Sequence, residues 1–555
     1  MKTIRWICLF LMLFILVSCS NNSGVEPSQS TSDVAMTDGD MSDSTTSDTV
    51  EDESVLATEL FISEAPDGEA ICDLFTVKIN GEEADVFSAR ASAYPYNWGW
   101  PGYQRPLEQT EMTGFVSYES NGAVKVEVTA NRDFAEAVVR PLSEDIEVAV
   151  DGRIVSFMLT EPGQYSLELD GHHNNLLIFS DPIKEYDTTG ENVIYYGPGV
   201  HEVGAIWLKS NTTVIVDRGA VVYGSFIACD ADNVTICGRG IIDGSYEKRT
   251  SATLMLPLSR SDFGDVGRTE EEMKAYAERN QLLHGSVRFF YGDNCKLEGV
   301  ICRDASTFAI IPANCSDLHI DNIKCVGMWR YNSDAIDIFN SHDVLIENSF
   351  LRSFDDTIVI KGIKGFDHEN NYNITVRNMV IWCDWGRALE IGAETCADEY
   401  YNILFEDCDI IHSTYAICDI QNGDRAYVHD VTFRNIYCEY SKYQQPDQMQ
   451  TDANVPYNPN ATLTHPRLIN ITGYTGQWSK DGIAGRTDKI LFENIVCYAD
   501  EGIPGPIIQM SGYSPENKTS NITVDGVYWN GNRLAITDCR FMAAVHVENI
   551  VFTKE

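Results

Sequence analysis

Three aspartates have the residue type and spacing to carry out acid-base chemistry. Asp334 lies in the run Asn-Ser-Asp-Ala-Ile-Asp-Ile, and Asp355 and Asp356 follow it by 21 and 22 positions at the start of a second apolar run. If the two runs lie side by side, the carboxylates crowd one surface and the pKa of at least one rises. A glycosidase needs one protonated carboxyl group as general acid and one ionised carboxylate to activate water. The spacing supports equally well a ladder of aspartates that caps turns or binds calcium.

A repeat of short strands would bring these aspartates together. From about residue 192 onward, a polar residue precedes an alternating aliphatic triplet and then a turn. Copies begin at Asn233, Asn294, Asp317, Asp343, Asn373, Asn402, Asp430, Lys489 and Asn521. Successive spacings through the middle are 23, 26, 30, 29 and 28 residues, a period typical of a parallel β-solenoid. We therefore predict an all-β fold with a right-handed parallel β-helix over 186–555, which places residues one coil apart next to each other.

The segment before the repeat has a different pattern. Residues 56–185 alternate with a period of two between Asn-Gly and Asp-Gly turns, which predicts a small antiparallel β-sandwich. Its aromatic loop between Tyr94 and Tyr103 could stack on sugars or pack against the neighbouring domain. Two insertions in the repeat, 245–284 and 441–465, are predicted to wall a binding cleft, because solenoid insertions leave from one face.

The amino end is predicted to be a targeting segment. A basic start, a short apolar run and the ending Leu-Val-Ser-Cys predict a secretory signal peptide over 1–19. That ending resembles the bacterial lipobox, which implies cleavage before Cys19 and lipidation of its thiol. Residues 20–55 are rich in Ser, Thr and Asp, which predicts a disordered tether. We expect a lipid-anchored protein of the cell envelope, on the outer membrane, facing either the periplasm or the exterior.

Composition excludes several classes of function. The net charge of −43 argues against nucleic acid as a partner, because a polyanion binds clustered Lys and Arg. The 16 cysteines form neither CxxC pairs nor His-spaced clusters, so we expect no zinc site and no other metal. We interpret most of them as small buried core residues and leave one or two disulfides open. We expect no organic cofactor and a monomeric protein.

The two acidic runs resemble the Asn-Thr-Asp and Asp-Asp motifs of the polygalacturonase family, glycoside hydrolase family 28, in sequence and in spacing. Residues 198–204, 380–382 and 410–415 are similar to the dextranase and isopullulanase family, glycoside hydrolase family 49, of the same clan. A β-sandwich placed before a β-helix is also that family's layout. The resemblance implies an enzyme that hydrolyses O-glycosyl bonds of an α-linked polysaccharide or oligosaccharide with inversion, without a cofactor.

Carried over position by position, the resemblance assigns Asp355 as general acid, with Asp334 and Asp356 holding and activating the water. We interpret Asp337 as structural. The family's Gly-His-Gly motif falls at 385–388, where Arg387 stands, and its cationic Arg-Ile-Lys triplet falls at 418–421, which contains an aspartate. These departures favour a neutral α-glycan over a galacturonate.

Further residues are predicted to line the substrate groove through hydrogen bonds or stacking: Lys361, Arg387, Trp385, Glu390, Tyr415 and Arg330. His412 is either near this site or a satisfied core histidine. Two other functions stay open. A β-helical polysaccharide lyase would need a cationic base or calcium beside a uronate, and a glycan-binding solenoid would need no chemistry at all.

Overall fold

The computed structural model describes residues 56–98, 106–247, 285–450, 455–462, 465–543 and 545–553. The predicted signal peptide with Cys19, the predicted tether and most of the first insertion lie outside these residues. The described part contains no helix with the length and hydropathy of a transmembrane span. Its helices are two single 3₁₀ turns, Leu107–Gln109 and Leu142–Glu144.

Two facing sheets form the amino-terminal part. Their strands are β1 (Leu60–Ile62), β2 (Phe75–Ile79), β3 (Glu82–Ala84), β4 (Phe87–Ser92), β6 (Thr110–Ser120), β7 (Val124–Ala130), β8 (Ala137–Arg140), β9 (Ala149–Asp151), β10 (Ile154–Leu159), β11 (Gly163–Leu169) and β12 (Leu176–Pro182). One sheet has the order β1-β6-β12-β11-β8 with β4 beside β6, and the other has the order β3-β2-β7-β10-β9. All pairs are antiparallel except β6 with β12. Alternate residues of these strands are buried in a shared core, as the period of two predicts.

The rest of the chain forms one sheet of 28 strands, coiled on itself. The strands are β13 (Val193–Tyr196), β14 (Gly199–Leu208), β15 (Thr213–Val216), β16 (Ala220–Cys229), β17 (Thr235–Gly238), β18 (Ile241–Asp243), β19 (Val287–Phe290), β20 (Lys296–Glu298), β21 (Ile301–Arg303), β22 (Ile310–Ala313), β23 (Ser316–Asp321), β24 (Lys324–Val326), β25 (Ile336–Phe339), β26 (His342–Glu347), β27 (Phe350–Ser353), β28 (Ile358–Gly362), β29 (Asn371–Cys383), β30 (Arg387–Thr395), β31 (Glu399–Ser413), β32 (Ala416–Asn422), β33 (Tyr427–Tyr440), β35 (Arg467–Gly473), β36 (Arg486–Ala499), β37 (Ile507–Ser511), β38 (Thr519–Trp529), β39 (Asn532–Arg533), β40 (Arg540–Ala543) and β41 (Val547–Thr553). Each strand pairs in parallel with the strand one coil later, and the short β38–β39 pair is antiparallel. The predicted fold class is confirmed.

The polar residue that opens each repeat turns the chain at a corner of the coil. All nine of these residues have φ between 49° and 56°, the left-handed region that Asn and Asp tolerate better than other non-glycine residues. Their side chains also form ladders from coil to coil. Asn402 Nδ2, for example, donates to Asn373 Oδ1 at 2.7 Å. The repeat therefore combines a corner that needs Asn or Asp with an aliphatic triplet that fills the core.

The cysteines fill small positions in the core. All fourteen cysteines of the described residues are buried and unpaired, so no disulfide occurs among them. Several occupy matching positions in adjacent coils, as Cys302 and Cys325 do.

The second insertion packs on the sandwich. Its strand β34 (Gln448–Gln450) pairs with β5 (Tyr96–Trp98), and the ring of Tyr457 stacks on Tyr94 at 4.8 Å. The prediction that 441–465 walls the acidic cleft is therefore wrong for its described residues. The insertion instead joins the sandwich to the solenoid, and Ser54–Glu555 form one compact unit.

Candidate active site

The strand register brings the three predicted aspartates together. Ile336 of β25 lies opposite Ile358 of β28, an offset of 22 residues, so Asp334 aligns with Asp356. The backbone N–H of Ala335 donates to the carbonyl of Asp356 at 3.1 Å, which extends the ladder to the acids themselves. The three carboxyl groups are nearly excluded from solvent, since Asp334, Asp355 and Asp356 are 2%, 4% and 7% exposed.

All three aspartates line one cavity of about 140 Å³. Its walls come from five successive coils and one long loop: Phe308, Asn332, Asp334, Asp355, Asp356, Lys361, Arg387, Glu390, Ala393, Glu394, Gln421, Tyr474 and Trp478. Five of these residues are acidic and two are cationic. The volume is below the range of drug-sized sites, so the cavity suits a group about as large as a single sugar ring.

Lys361 bridges Asp334 and Asp337, two acids that belong to the coil of β25. Its Nζ donates to Asp334 Oδ2 at 3.1 Å and to Asp337 Oδ1 at 2.6 Å. Burial, together with the neighbouring Asp337, raises the pKa of Asp334 well above its usual value, against the attraction of Lys361. Asp334 Oδ1 is buried and has no hydrogen-bond partner among the described residues, so it is available to a ligand or a water.

Asp355 and Asp356 have opposite pKa shifts although they are adjacent in sequence. Burial, with the charge of Asp356, raises the pKa of Asp355 to about 7. Burial also acts on Asp356, but Arg387 and then Lys361 outweigh it and hold the pKa of Asp356 below its usual value. Arg387 donates to Asp356 Oδ1 from its backbone N at 3.1 Å and from Nη1 at 3.4 Å. Below about pH 7, Asp355 therefore keeps its proton while Asp356 is ionised.

Gly386 explains how Arg387 comes so near to these acids. A Cβ atom at Gly386 would lie 2.4 Å from the carbonyl carbon of Asp355 and 2.4 Å from the backbone N of Asp356. Only glycine therefore lets the chain pass directly against the peptide bond between the two aspartates.

Polar residues of three successive coils are aligned near Arg387. Beginning opposite Val359, the strand register aligns Glu390, Asp419 and Asn470. Arg387 Nε donates to Asp419 Oδ2 at 3.1 Å, and Asn470 Nδ2 donates to Asp419 Oδ1 at 2.6 Å. Asp419, which the resemblance aligns with the family's cationic triplet, thus binds an arginine of this same site.

The predicted groove residues separate into two groups. Lys361, Arg387 and Glu390 line the cavity, whereas Trp385, Tyr415 and Arg330 are not among its lining residues. The ring of Trp385 stacks on Phe354, and Tyr415 lies under the guanidinium groups of Arg387 and of Arg467.

Arg330 and His412 lie away from the cavity lining. Arg330 forms an ion pair with Asp304 at 2.6 Å. His412 is bonded through Nε2 to Glu168 of the sandwich at 2.6 Å, so it is a satisfied buried histidine.

Sequence reasoning missed Tyr474 and Trp478. They belong to the loop 474–485 between β35 and β36, more than a hundred residues after the acids. Asp481 anchors this loop by ion pairs to Lys364 at 3.1 Å and to Arg425 at 2.8 Å. No motif marks the loop, since its place above the acids follows from those two pairs across coils.

The chain is similar to known proteins in sequence and in fold. Residues 208–445 match the family described as Glycosyl hydrolases family 28. Isopullulanase of Aspergillus niger is 21% identical over 369 residues, which cover 57% of this chain and 59% of that enzyme. The chain therefore spans about three-fifths of the length of this relative. The structure of Dex49A from Penicillium minioluteum matches with a TM-score of 0.56 and 13% identity, over 88% of this chain and 96% of that one, a likeness of fold.

These findings confirm the predicted resemblance to the clan of polygalacturonases and dextranases. Within the clan, the curated relative and the structural neighbour come from the isopullulanase and dextranase side, while the family match is to family 28.

Proposed function

We propose that this protein is an inverting glycoside hydrolase that cleaves α-glycosidic bonds of a neutral polysaccharide or oligosaccharide. The observation that carries the proposal is a pair of adjacent buried carboxyl groups in one cavity, Asp355 and Asp356, whose pKa values are shifted in opposite directions. A protonated and an ionised carboxyl group at one site are the two groups that glycoside hydrolysis requires. The family match supports the same reaction class.

In this mechanism Asp355 donates its proton to the glycosidic oxygen as the bond to the anomeric carbon breaks. Asp356, ionised beside Arg387, removes a proton from the attacking water. Asp334 holds that water through Oδ1, which has no hydrogen-bond partner in the part of the chain that the structure describes. Lys361 keeps Asp334 in place through Oδ2. Attack from the face opposite the leaving group inverts the anomeric configuration.

The charges of the cavity support the proposal of a neutral substrate. Both of its cations are already bound to acids, Lys361 to Asp334 and Asp337, and Arg387 to Asp356 and Asp419. A uronate would bring a further negative charge into a space with five acidic side chains. Tyr474 and Trp478 supply the aromatic surfaces on which the apolar face of a sugar ring can stack.

We also propose that the protein is monomeric and is held at the outer membrane by lipid on Cys19. The support is the lipobox-like ending of the apolar run at the amino end. Labelling of cells with a fatty-acid analogue tests this proposal, because the label should be incorporated by the wild type and lost in Cys19→Ala.

A substrate screen tests the proposed reaction. Purified protein is incubated with pullulan, dextran, arabinan and polygalacturonate, and the products are followed by reducing-sugar release, chromatography and ultraviolet absorbance. We expect oligosaccharides without ultraviolet absorbance from a neutral α-glycan, and no products with a triple variant, Asp334→Asn, Asp355→Asn and Asp356→Asn. Unsaturated products from polygalacturonate would establish a lyase, and binding without cleavage would establish a glycan-binding solenoid.

A further inference from the structure

Glu390 places a further carboxyl group directly against Asp356. It lies in β30, opposite Val359 of the strand that follows the two acids. Its side chain is fully buried, lines the cavity and is hydrogen-bonded to the side chain of Asp356. The reaction outlined above gives this group no part.

The contacts of Glu390 indicate where a proton must lie. Ionised carboxylates only accept hydrogen bonds, so the bond between Glu390 and Asp356 requires one proton. Glu390 Oε1 accepts from Gln421 Nε2 at 2.6 Å and lies 3.7 Å from Arg387 Nε, whereas Oε2 receives no donor from the described residues. Because Arg387 favours the ionised form of Asp356, a proton on the unmatched oxygen of Glu390 would satisfy both carboxyl groups.

The surrounding charges keep the proton on Glu390. The charged and titratable groups that face it are Asp356, Arg387, Asp419 and Tyr474. Burial, followed by the charge of Asp356, raises the pKa of Glu390 well above its usual value, although Arg387 acts in the opposite direction.

We propose that Glu390 is a positioning residue that donates its carboxyl proton to Asp356 and thereby fixes the direction of the ionised Asp356 carboxylate. This inference rests on the proposed function, in which Asp356 activates water. Arg387 donates to Asp356 Oδ1, and Glu390, from the same strand β30, adds a second donor to Asp356. Glu390 thus acts on the reaction through Asp356 and not through the sugar.

Two variants separate this role from sugar binding and from a purely structural role. Glu390→Ala removes the donor, so we expect kcat to fall at least tenfold with KM changed less than threefold. Because the lost hydrogen bond favoured ionised Asp356, the acidic limb of the kcat profile should move to higher pH. Glu390→Gln keeps a donor in its amide, so kcat should return to within threefold of the wild type. Glu298→Gln, at a buried glutamate in β20 outside the cavity, is the control and should leave kcat unchanged.

The pH dependence of stability tests the shared proton without any substrate. A glutamate whose pKa is raised on folding contributes less stability as pH rises above its unfolded pKa. The melting temperature of Glu390→Gln, relative to wild type, should therefore increase from pH 5 to pH 9. The same difference for Glu298→Gln should stay constant over this range, because the pKa of Glu298 is lowered, by Lys184 and Lys296 against the effect of burial.

The outcomes of the two tests are distinct. A wild type that hydrolyses glycans while Glu390→Ala keeps its kcat and its acidic limb would overturn the inference and leave the proposed function standing. A stability difference that does not change with pH would also overturn it. A wild type without any hydrolase activity, but with the pH-dependent stability difference, would overturn the proposed function and support the shared proton.

Discussion

Replacement of Asp355 by Asn should lower the activity of the protein and raise its stability at neutral and alkaline pH. Both effects have the same origin, the raised pKa of Asp355. Asn has the same shape and keeps an oxygen to accept the 3.2 Å hydrogen bond from the backbone N of Asp356. It cannot donate a proton to a leaving group. Loss of a general acid typically costs a factor of about 10² to 10⁴ in rate, or ~3 to 5 kcal/mol of transition-state stabilisation. We expect kcat/KM on a neutral α-glycan to fall by that factor.

The same change should stabilise the fold at neutral and alkaline pH. The pKa of Asp355 is raised on folding from 3.8 to about 7, so the wild type loses stability as pH rises from about 4 through about 7. At 1.36 kcal/mol per pKa unit, the full effect is on the order of 4 kcal/mol at pH 8. Asp355→Asn has no such loss. Its melting temperature relative to wild type should therefore be higher at pH 8 than at pH 4.

A matched control is available at Asp409. Its carboxyl group is partly buried between solenoid and sandwich, accepts a hydrogen bond from Ser143, and has a pKa raised by burial to about 6. Asp409→Asn should show a similar pH trend in melting temperature and keep full activity. If Asp355→Asn retained more than a tenth of wild-type kcat/KM, or if its relative melting temperature did not rise between pH 4 and pH 8, the assignment of Asp355 as a buried general acid would be refuted.

Three further changes test the parts that surround the acids. Trp478→Ala should raise KM about tenfold, which corresponds to ~1.4 kcal/mol, because it removes a stacking surface. Its kcat should change little, because the acids stay in place. An unchanged KM in steady-state kinetics would contradict the place of Trp478 in the cavity. Gly386→Ala should lower kcat at least tenfold, because its Cβ would displace the peptide bond between the two adjacent aspartates, and wild-type kinetics would contradict the close approach. Lys489→Asn should raise the free energy of unfolding by about 1 kcal/mol in denaturant titrations, because Lys489 has φ 54°, and Asn402→Lys should lower it by a similar amount; opposite signs would contradict the corner geometry.

The fold could be predicted because its cause repeats along the sequence. Each coil needs a left-handed corner and an aliphatic strand, so Asn or Asp followed by an alternating aliphatic triplet marks all but one of the nine repeats, and Lys489 opens the remaining one. The same regularity placed Asp334 next to Asp356, with an offset of 22 residues, because adjacent coils pair in parallel. Local chemistry of this kind is visible without any knowledge of distant contacts.

The parts that were missed depend on contacts between coils that no local pattern announces. Tyr474 and Trp478 reach the cavity because Asp481 is held by Lys364 and Arg425, which come from two earlier coils. The insertion 441–465 packs on the sandwich through a strand pair with β5, a choice set by the partner and not by the insertion's own composition.

Several predicted groove residues have other contacts for the same reason. Arg330 faces Asp304, and Trp385 stacks on Phe354 beside the acids. Residue type indicated that these side chains could bind a sugar, but the neighbours that they contact were set by tertiary packing.

The anomeric configuration of the first product tests the central claim most directly. A cleaved neutral α-glycan is followed by proton NMR during the first minutes of the reaction, before mutarotation equilibrates the new reducing ends. If Asp355 protonates the leaving oxygen while Asp356 activates a water on the opposite face, the β-anomer should accumulate first. Initial release of the α-anomer, or of an unsaturated sugar, would contradict this account.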